Sequence, residues 1–83
     1  MNSFKLKILA TDKKVYEGPV ESLTVPGAAG YLGIWAHHCP VMTLLGKGQL
    51  TYRDTEGKTS SLPIDGNGFF EFSKNTAVIL IDN

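Results

Sequence analysis

Disulfide bonds within the chain are excluded, because Cys39 is the single cysteine among its 83 residues. An excess of either charge is also missing, since eight Lys and Arg residues balance eight Asp and Glu residues and leave a formal net charge of zero. Nucleic-acid-binding domains and polybasic membrane anchors carry a clear excess of basic residues. The composition therefore excludes both classes, and the lone thiol is typical of a reducing compartment.

Long hydrophobic runs are missing as well. The longest uninterrupted run, Ala77–Ile81, is far shorter than the roughly 20 apolar residues that span a bilayer. The N-terminal residues also lack the pattern of a secretory leader. A chain of this length has room for one hydrophobic core and no second lobe. We expect a single soluble domain over residues 1–83, of the cytoplasmic type.

Alanine, the strongest helix former, is scarce, whereas residues that favour strands are abundant. The chain has five alanines against 25 β-branched or aromatic residues. Nine glycines and four prolines interrupt the sequence at short intervals, which leaves few stretches long enough for a helix. The composition predicts an all-β fold, a flattened β-sandwich or partly closed barrel of about eight to ten short strands.

Alternating apolar and charged residues predict the first strand, Phe4–Ala10. Similar runs between turn residues predict further strands at Val15–Glu17, Val20–Val25, Tyr31–Ile34, Val41–Leu45, Gly48–Arg53, Lys58–Ile64, Phe69–Phe72 and Thr76–Ile81. We expect Gly18-Pro19 to break the second strand from the third. Pro63 indicates a strand at the edge of the sheet or a strand end, and the last strand, apolar on both faces, is expected to be central.

Motifs for catalysis or cofactor binding are incomplete. Two Gly-Lys pairs lack the earlier glycine that a phosphate-binding P-loop requires. His37, His38 and Cys39 form the one cluster of metal-ligating residue types in the sequence. Three consecutive side chains project in different directions, so at most two of them can reach one ion. We therefore expect no catalytic residue, metal or cofactor, and a chain that is not an enzyme by itself.

The segment Gly27–Pro40 has no sustained hydrophobic period and contains three glycines, so we interpret it as a structured loop around one short strand. It carries four apolar or amphipathic side chains, those of Tyr31, Leu32, Ile34 and Trp35. A core of this size covers only some of them. Two interpretations stay open: a loop that contacts a partner protein, or a loop folded over the end of the sandwich as a lid on the core.

Specific motifs begin in this segment and continue through the rest of the chain. They are Val25-Pro26-Gly27, Gly30-x-Leu32-Gly33-Ile34, His38-x-Pro40, Leu44-Leu45, Gly48-x-Leu50, Asn67-Gly68-Phe69-Phe70-Glu71-Phe72 and Val78-Ile79-Leu80-Ile81-Asp82. In this collinear order the sequence closely resembles the N-terminal β-sandwich domain of F-type ATP synthase epsilon subunits, in which a Gly-Gly-apolar-apolar-Glu-Val segment occupies the place of Asn67–Phe72. The resemblance covers about Phe4 to Asp82, nearly the whole chain.

The resemblance implies a mechanical role as a central-stalk rotor subunit. Such a subunit lies beside the gamma subunit, touches the ring of c subunits and couples their rotation to ATP synthesis without bond chemistry of its own. It also implies a peripheral location on the cytoplasmic face of the energy-transducing (cell inner) membrane, reached only through the complex. One outer sheet face would meet gamma. The residues implied at the c-ring interface are Gly30, Tyr31, Leu32, Gly33, Ile34, Trp35 and His38.

Several residues depart from the family's usual pattern or have two interpretations. Tyr31 stands where the family commonly has an acidic or polar residue, so we expect a stacked or hydrogen-bonded phenol there. Ala36-His37 replaces a common Pro-Gly, and Asn67 replaces the first glycine of a pair, where its tolerance of positive φ would preserve the bend. His38 has two interpretations, a hydrogen-bond donor to the ring or a tie within its own loop.

Epsilon subunits typically continue into a helical hairpin that binds ATP or inhibits hydrolysis, and the sequence ends before such a hairpin at Asn83. We therefore expect this polypeptide to lack the ATP-sensing function. The main alternative is a free-standing β-sandwich that binds a ligand or protein, for example a sugar binder using Trp35, Tyr31 and Tyr52. A metal-assisted enzyme built on His37, His38 and Cys39 is a further alternative, and it would need zinc.

Overall fold

The computed structural model describes residues 2–82 as a single curled sheet of eight strands, with no helix among these residues. The strands are β1 (Phe4–Ala10), β2 (Lys13–Gly27), β3 (Gly30–Trp35), β4 (Val41–Leu44), β5 (Lys47–Asp54), β6 (Thr59–Asp65), β7 (Gly68–Ser73) and β8 (Thr76–Ile81). Their order is β4-β7-β8-β1-β2-β5-β6, with β3 paired to β2 outside this path. The sheet forms a half-barrel consistent with a β-sandwich, which confirms the predicted all-β class.

Strand β2 is one continuous strand of 15 residues, so the predicted break at Gly18-Pro19 is wrong. Gly18 and Pro19 pair with Leu6 and Lys5 of β1 and keep the ladder intact. The pairing of β2 with β5 begins only at Val20, so one edge of β2 is unpaired at the proline. Proline has no backbone N–H, and Pro19 is tolerated in the strand because the unpaired edge of β2 needs no hydrogen-bond donor at this position.

A β-bulge in β2 changes which side chains face the core. Val20 pairs with Asp54, the next β2–β5 pair is Ser22 with Arg53, and Glu21 is the extra residue. Side chains alternate strictly along a regular strand, so residues three apart would face opposite ways. The bulge allows both Val20 and Leu23 to be buried.

The bulge also separates the two parts of β2. The residues before it pair with β1, and those after it pair with β3 on the same edge and with β5 on the other. Strand β3 therefore pairs with the same edge of β2 directly beyond the last β1–β2 pair, Phe4 with Val20. The core lies inside the curl of the sheet and consists of Phe4, Leu6, Ile8, Val20, Leu23, Val25, Ile34, Leu45, Leu50, Ile64, Phe70, Phe72, Ala77, Ile79 and Ile81.

The positions of the first and last strands agree with their sequence patterns. Phe4, Leu6 and Ile8 of β1 are buried, and β8 lies inside the sheet, between β7 and β1, in parallel pairing with β1. Only one face of β8 is buried, because Leu80 on the other face is 41% exposed. Pro63 lies on β6, an edge strand, as predicted.

Deleting Glu21 tests the bulge. The deletion leaves Val20 and Leu23 two positions apart, so a regular strand without a bulge still buries both, and we expect a melting temperature close to that of the parent. Deleting Thr24 instead makes the buried Leu23 and Val25 adjacent and drives side chains out of the core. Each loses about 1.5–3 kcal/mol of burial, against a total stability of about 4–12 kcal/mol for a domain of this length. Circular dichroism during heating measures both deletions, and a Glu21 deletion that melts as early as the Thr24 deletion would refute the argument.

An ion triad joins β1 to β2 on the outside of the sheet. The carboxylate of Glu17 lies 2.7 Å from Lys14 Nζ and 3.1 Å from Lys5 Nζ. Hydrogen bonds from Lys14 and then from Lys5 lower the pKa of Glu17 from 4.5 to about 2. Both lysine side chains are more than half exposed, so solvent screens the interaction and its contribution to stability is small.

The lowered pKa of Glu17 determines how the stability of the fold changes with pH. The carboxylate binds its proton more weakly in the folded chain, so its stabilisation is complete above the unfolded pKa of 4.5 and is lost as the pH falls to about 2. We expect Glu17→Gln to lower the melting temperature slightly at pH 7 and to match the parent near pH 2. Glu56→Gln is the control in a turn. A difference between Glu17→Gln and the parent that grows on acidification would contradict this assignment.

Candidate partner-binding surfaces

The segment Gly27–Pro40 is more regular than the loop expected from its sequence. Residues Gly30–Trp35 form β3, which pairs with β2 as an antiparallel hairpin around Ala28-Ala29, with Tyr31 opposite Pro26. The predicted short strand at Tyr31–Ile34 is confirmed within β3. The glycines at 27, 30 and 33 hide the longer alternation that would have indicated the whole hairpin, because they contribute no side chain to the pattern. The rest of the loop interpretation is therefore corrected to a hairpin followed by a short turn.

The residues implied at the c-ring interface divide between the two faces of β3. Ile34 is fully buried in the core, and the half-buried Leu32 packs against the core. Tyr31 and Trp35 are 59% and 62% exposed, with the exposed Gly33 between them. Both interpretations of the segment thus apply to different side chains: Leu32 and Ile34 complete the core, and Tyr31 and Trp35 are available to a partner. We call Tyr31, Gly33, Trp35 and the turn to His38 the β3 surface.

Tyr31 is held by a hydrogen bond although its ring is exposed. The Gln49 N–H donates to the Tyr31 hydroxyl oxygen over 3.1 Å. Gln49 lies beyond the last β2–β5 pair, Thr24 with Thr51, so the phenol satisfies a backbone donor that β2 does not reach. A side chain at Gly48 would overlap this hydroxyl. The expected hydrogen-bonded phenol is present, with its bond directed to the chain's own β5.

Trp35 lies over a position that has no side chain. A Cβ added at Gly33 would stand only 2.9 Å from the indole carbon Cζ3, so glycine is required for the ring to rest against the strand. The indole is thereby supported on one side while most of its surface remains exposed. Supported aromatic rings lose little conformational entropy on binding, and they are frequent anchors of protein interfaces.

His38 makes a contact within its own loop. Its Nδ1 lies 2.7 Å from the carbonyl oxygen of Cys39, which only accepts, so Nδ1 carries the proton and donates. The imidazole also packs edge-on against Phe72, with ring centroids 5.9 Å apart. These contacts support the interpretation of His38 as a loop tie, and a contact of its remaining ring nitrogen with a partner stays a prediction.

His37 and Asn67 stand at positions where the family commonly has glycine, and their backbone conformations differ. His37, at the common Pro-Gly, adopts φ 65°, so the left-handed conformation is kept by a non-glycine residue. Asn67 does not adopt a positive φ, contrary to our expectation. The flanking Gly66 and Gly68 take this role with φ values of 96° and 140°. The bend is formed by neighbouring glycines, so Asn67 needs no special conformation.

A second exposed surface, which sequence reasoning did not identify, lies on the outside of β4, β7, β8 and β1. Four apolar residues are direct neighbours across these strands: Leu44 pairs with Phe69, Phe69 with Leu80, and Leu80 with Leu9. Leu44 is 69% exposed and its neighbour on the same strand, Met42, is 65% exposed. We call these five residues the outer apolar row. Strand register alone brings them together, so no local motif marks them.

The residues of the two alternative sites do not assemble. Tyr52 packs inward against Tyr16, with ring centroids 4.6 Å apart, on the core side of the sheet, whereas Tyr31 and Trp35 face outward. Burial, the Tyr52 hydroxyl and Asp54 raise the pKa of Tyr16. Within residues 2–82, no three His, Cys, Asp or Glu side chains are placed to hold one metal ion.

The same residues include no helix long and apolar enough to cross a membrane.

The curled all-strand sheet and its two exposed apolar surfaces define a β-sandwich domain. The family model described as ATP synthase, Delta/Epsilon chain, beta-sandwich domain matches residues 3–83. The chain belongs to this family, which confirms the resemblance of its motifs.

Two relatives illustrate the relationship. The chain is 39% identical over 82 residues to the ATP synthase epsilon chain of Leptospira interrogans serogroup Icterohaemorrhagiae serovar copenhageni (strain Fiocruz L1-130), covering 99% of this chain and 63% of the relative. It is 39% identical over 79 residues to the ATP synthase epsilon chain of Protochlamydia amoebophila (strain UWE25), covering 95% of this chain and 53% of the relative. The chain thus spans between half and two thirds of these relatives' lengths.

Solved structures share the fold at lower sequence identity. A chain in the cryo-EM structure of the Euglena gracilis mitochondrial ATP synthase, OSCP/F1/c-ring in rotational state 1, superposes with a TM-score of 0.87 at 22% identity, over 95% of this chain and 50% of that one. A chain in the Tetrahymena thermophila mitochondrial ATP synthase central stalk and c-ring superposes with a TM-score of 0.77 at 17% identity, over 95% and 63%. Both support the β-sandwich fold.

Proposed function

We propose that this chain acts as the epsilon-type rotor subunit of the central stalk of an F-type proton-translocating ATP synthase, where it couples rotation of the c ring and gamma subunit to ATP synthesis. The observation that carries the proposal is the family match over residues 3–83. The relatives named above are epsilon chains, and the similar structures include a central stalk and c rings. The role is mechanical, and the chain supplies no catalytic residue to the complex.

The β3 surface is the proposed contact with the c ring. Tyr31 uses its hydroxyl oxygen to accept from Gln49 and keeps its O–H to donate to a polar loop of a c subunit. Trp35 offers a supported aromatic face beside it. Because Leu32 and Ile34 are held by the core, they fix the strand, and the two aromatic side chains make the contact.

The outer apolar row is the proposed contact with gamma. It crosses four strands and ends at Leu44, the most exposed large apolar residue in the described part of the chain. Contiguous exposed apolar side chains indicate a protein interface. A subunit that transmits torque has to be held by two partners at once, and the two surfaces lie on different parts of the sheet. The chain would then be attached to the energy-transducing (cell inner) membrane peripherally, on its cytoplasmic face, through the complex.

Removing both aromatic side chains tests the β3 surface. In reconstitution with purified gamma and detergent-solubilised c ring, we expect the parent chain to co-elute with both partners. We expect Tyr31→Ala combined with Trp35→Ala to weaken binding to the ring at least tenfold, since aromatic anchors at interfaces carry roughly 2 kcal/mol or more each. Binding to gamma should be unchanged.

Two controls accompany this double variant. Val15→Ala truncates an exposed apolar side chain on β2 and should leave binding to the ring intact. Tyr31→Phe removes the hydroxyl and keeps the ring, which separates hydrogen bonding from packing. Failure of the parent to associate with either partner would refute the central-stalk proposal and favour a free-standing binding module.

Charge placed on the outer apolar row tests the gamma contact. Met42→Lys combined with Leu44→Lys adds two lysines where the side chains are already largely exposed, so the fold should be retained. We expect loss of co-elution with gamma, because a buried unpaired ammonium group is strongly disfavoured at an interface. Thr59→Lys, on the exposed edge strand β6, is the control. Unchanged gamma binding by the double lysine variant would exclude the row as the contact.

A further inference from the structure

The carboxamide of Asn75 joins three separate segments of the chain. Its Oδ1 accepts from the backbone N–H of His37 over 2.7 Å, and its Nδ2 donates to the carbonyl oxygen of Ser3 over 3.0 Å. The carbonyl oxygen of Asn75 itself accepts from the Lys5 N–H over 3.2 Å. The residue therefore connects the β7–β8 turn with the beginning of β1 and with the turn that follows β3.

The backbone around Asn75 fixes the direction of its side chain. Lys74 and Asn75 form the two-residue loop between β7 and β8, in which Ser73 pairs with Thr76. Their φ values of 51° and 57° are both positive, as in the type I′ turns that suit tight hairpins. Asparagine adopts this conformation more readily than most residues. The position of the carboxamide is thus set by the rigid β7–β8 hairpin.

The turn that donates this hydrogen bond through the His37 N–H is strained. The His38 N–H donates to the Trp35 carbonyl oxygen over 3.1 Å, which closes a four-residue turn with His37 at its third position. Glycine or asparagine is favoured there, and a histidine at φ 65° is held against its own preference. The bond from His37 to Asn75 offsets this strain.

Other hydrogen bonds do not anchor the turn to the sheet. Among residues 2–82, the remaining hydrogen bonds of residues 36–40 lie within the turn itself, from His38 to Trp35 and from His38 to Cys39. The packing of His38 on Phe72 is the accompanying contact. The position of the turn after β3 relative to the sheet therefore depends on the hydrogen bond from His37 to Asn75 and on the packing of His38 on Phe72.

We propose that Asn75 is a positioning residue for the β3 surface, which it holds in its binding conformation without touching the partner. The partner is the c ring of the proposed function, so this part of the inference rests on that proposal. The hold of Asn75 on the turn is a property of the free chain and is measured without any partner.

Three variants distinguish the effect of the Asn75 carboxamide from that of the backbone conformation of the β7–β8 turn. Asn75→Gly keeps the positive φ and removes both side-chain hydrogen bonds. Asn75→Asp keeps an acceptor for His37 and loses the donor to Ser3. Lys74→Gly changes the neighbouring residue of the same turn, which is exposed, and leaves the hydrogen bond between His37 and Asn75 in place. This variant controls for flexibility of the β7–β8 loop.

The first experiment follows backbone amide hydrogen exchange and side-chain resonances of the free chain by NMR. With Asn75→Gly, we expect exchange at the His37 amide to accelerate about fivefold to tenfold, as for the loss of one hydrogen bond, with shifts of the Trp35 indole and His38 imidazole resonances. Asn75→Asp and Lys74→Gly should leave these signals near those of the parent. Unchanged His37 exchange and unchanged Trp35 and His38 signals in Asn75→Gly would overturn the inference.

The second experiment measures binding of the same variants to detergent-solubilised c ring. We expect Asn75→Gly to bind severalfold more weakly than the parent, with Asn75→Asp restoring most of the affinity and gamma binding unaffected. Equal affinity of Asn75→Gly and the parent would overturn the positioning role. If the parent itself does not bind the ring, the proposed function fails, and the exchange experiment still decides whether Asn75 holds the turn.

Discussion

The β-bulge at Glu21 in β2 is the constraint on which the rest of the sheet depends. Val20 and Leu23 are three residues apart, so strict alternation without a bulge would place them on opposite faces. With the bulge, both parts of β2 direct apolar side chains to the same core, although one part pairs with β1 and the other with β3 and β5. A bulge also increases local twist, which suits the curling of the sheet. One strand therefore supports two halves of the fold around a core with no buried polar side chain in the described residues.

The two exposed surfaces follow from this division of β2. Strand β3 occupies the edge of β2 that β1 leaves free, so its outward side chains lie on one half of the sheet. The outer apolar row crosses β4, β7, β8 and β1 on the other half. The two surfaces are connected by the continuous hydrogen-bonded backbone of β2 and its neighbours. In the proposed rotor role, a stiff sheet with separate contacts would transmit rotation, whereas a flexible linker between them would absorb it.

Local patterns in the sequence predicted the strands well, and they failed where the outcome depended on pairing. Period-two alternation located β1, and turn residues separated β5 from β6. Gly18-Pro19 indicated a break because local preference disfavours a strand there, but pairing with β1 overrides it. The β3 surface was found through its motif, whereas the outer row required knowledge that Leu44 and Leu80 both flank Phe69. Strand order comes from long-range packing, which single-sequence patterns do not contain.

Net neutrality determines how such surfaces bind. Eight positive and eight negative side chains leave no long-range field to draw a partner, so association depends on contact area and shape. The core of an 83-residue chain cannot enclose every large apolar side chain, and those left outside are concentrated at β3 and along the outer apolar row. Rigidity then becomes decisive, because each side chain that is ordered beforehand reduces the entropy lost on binding. Tyr31 is ordered by Gln49 and Trp35 by its contact with Gly33, so the proposed binding surface is organised by the same strands that enclose the core.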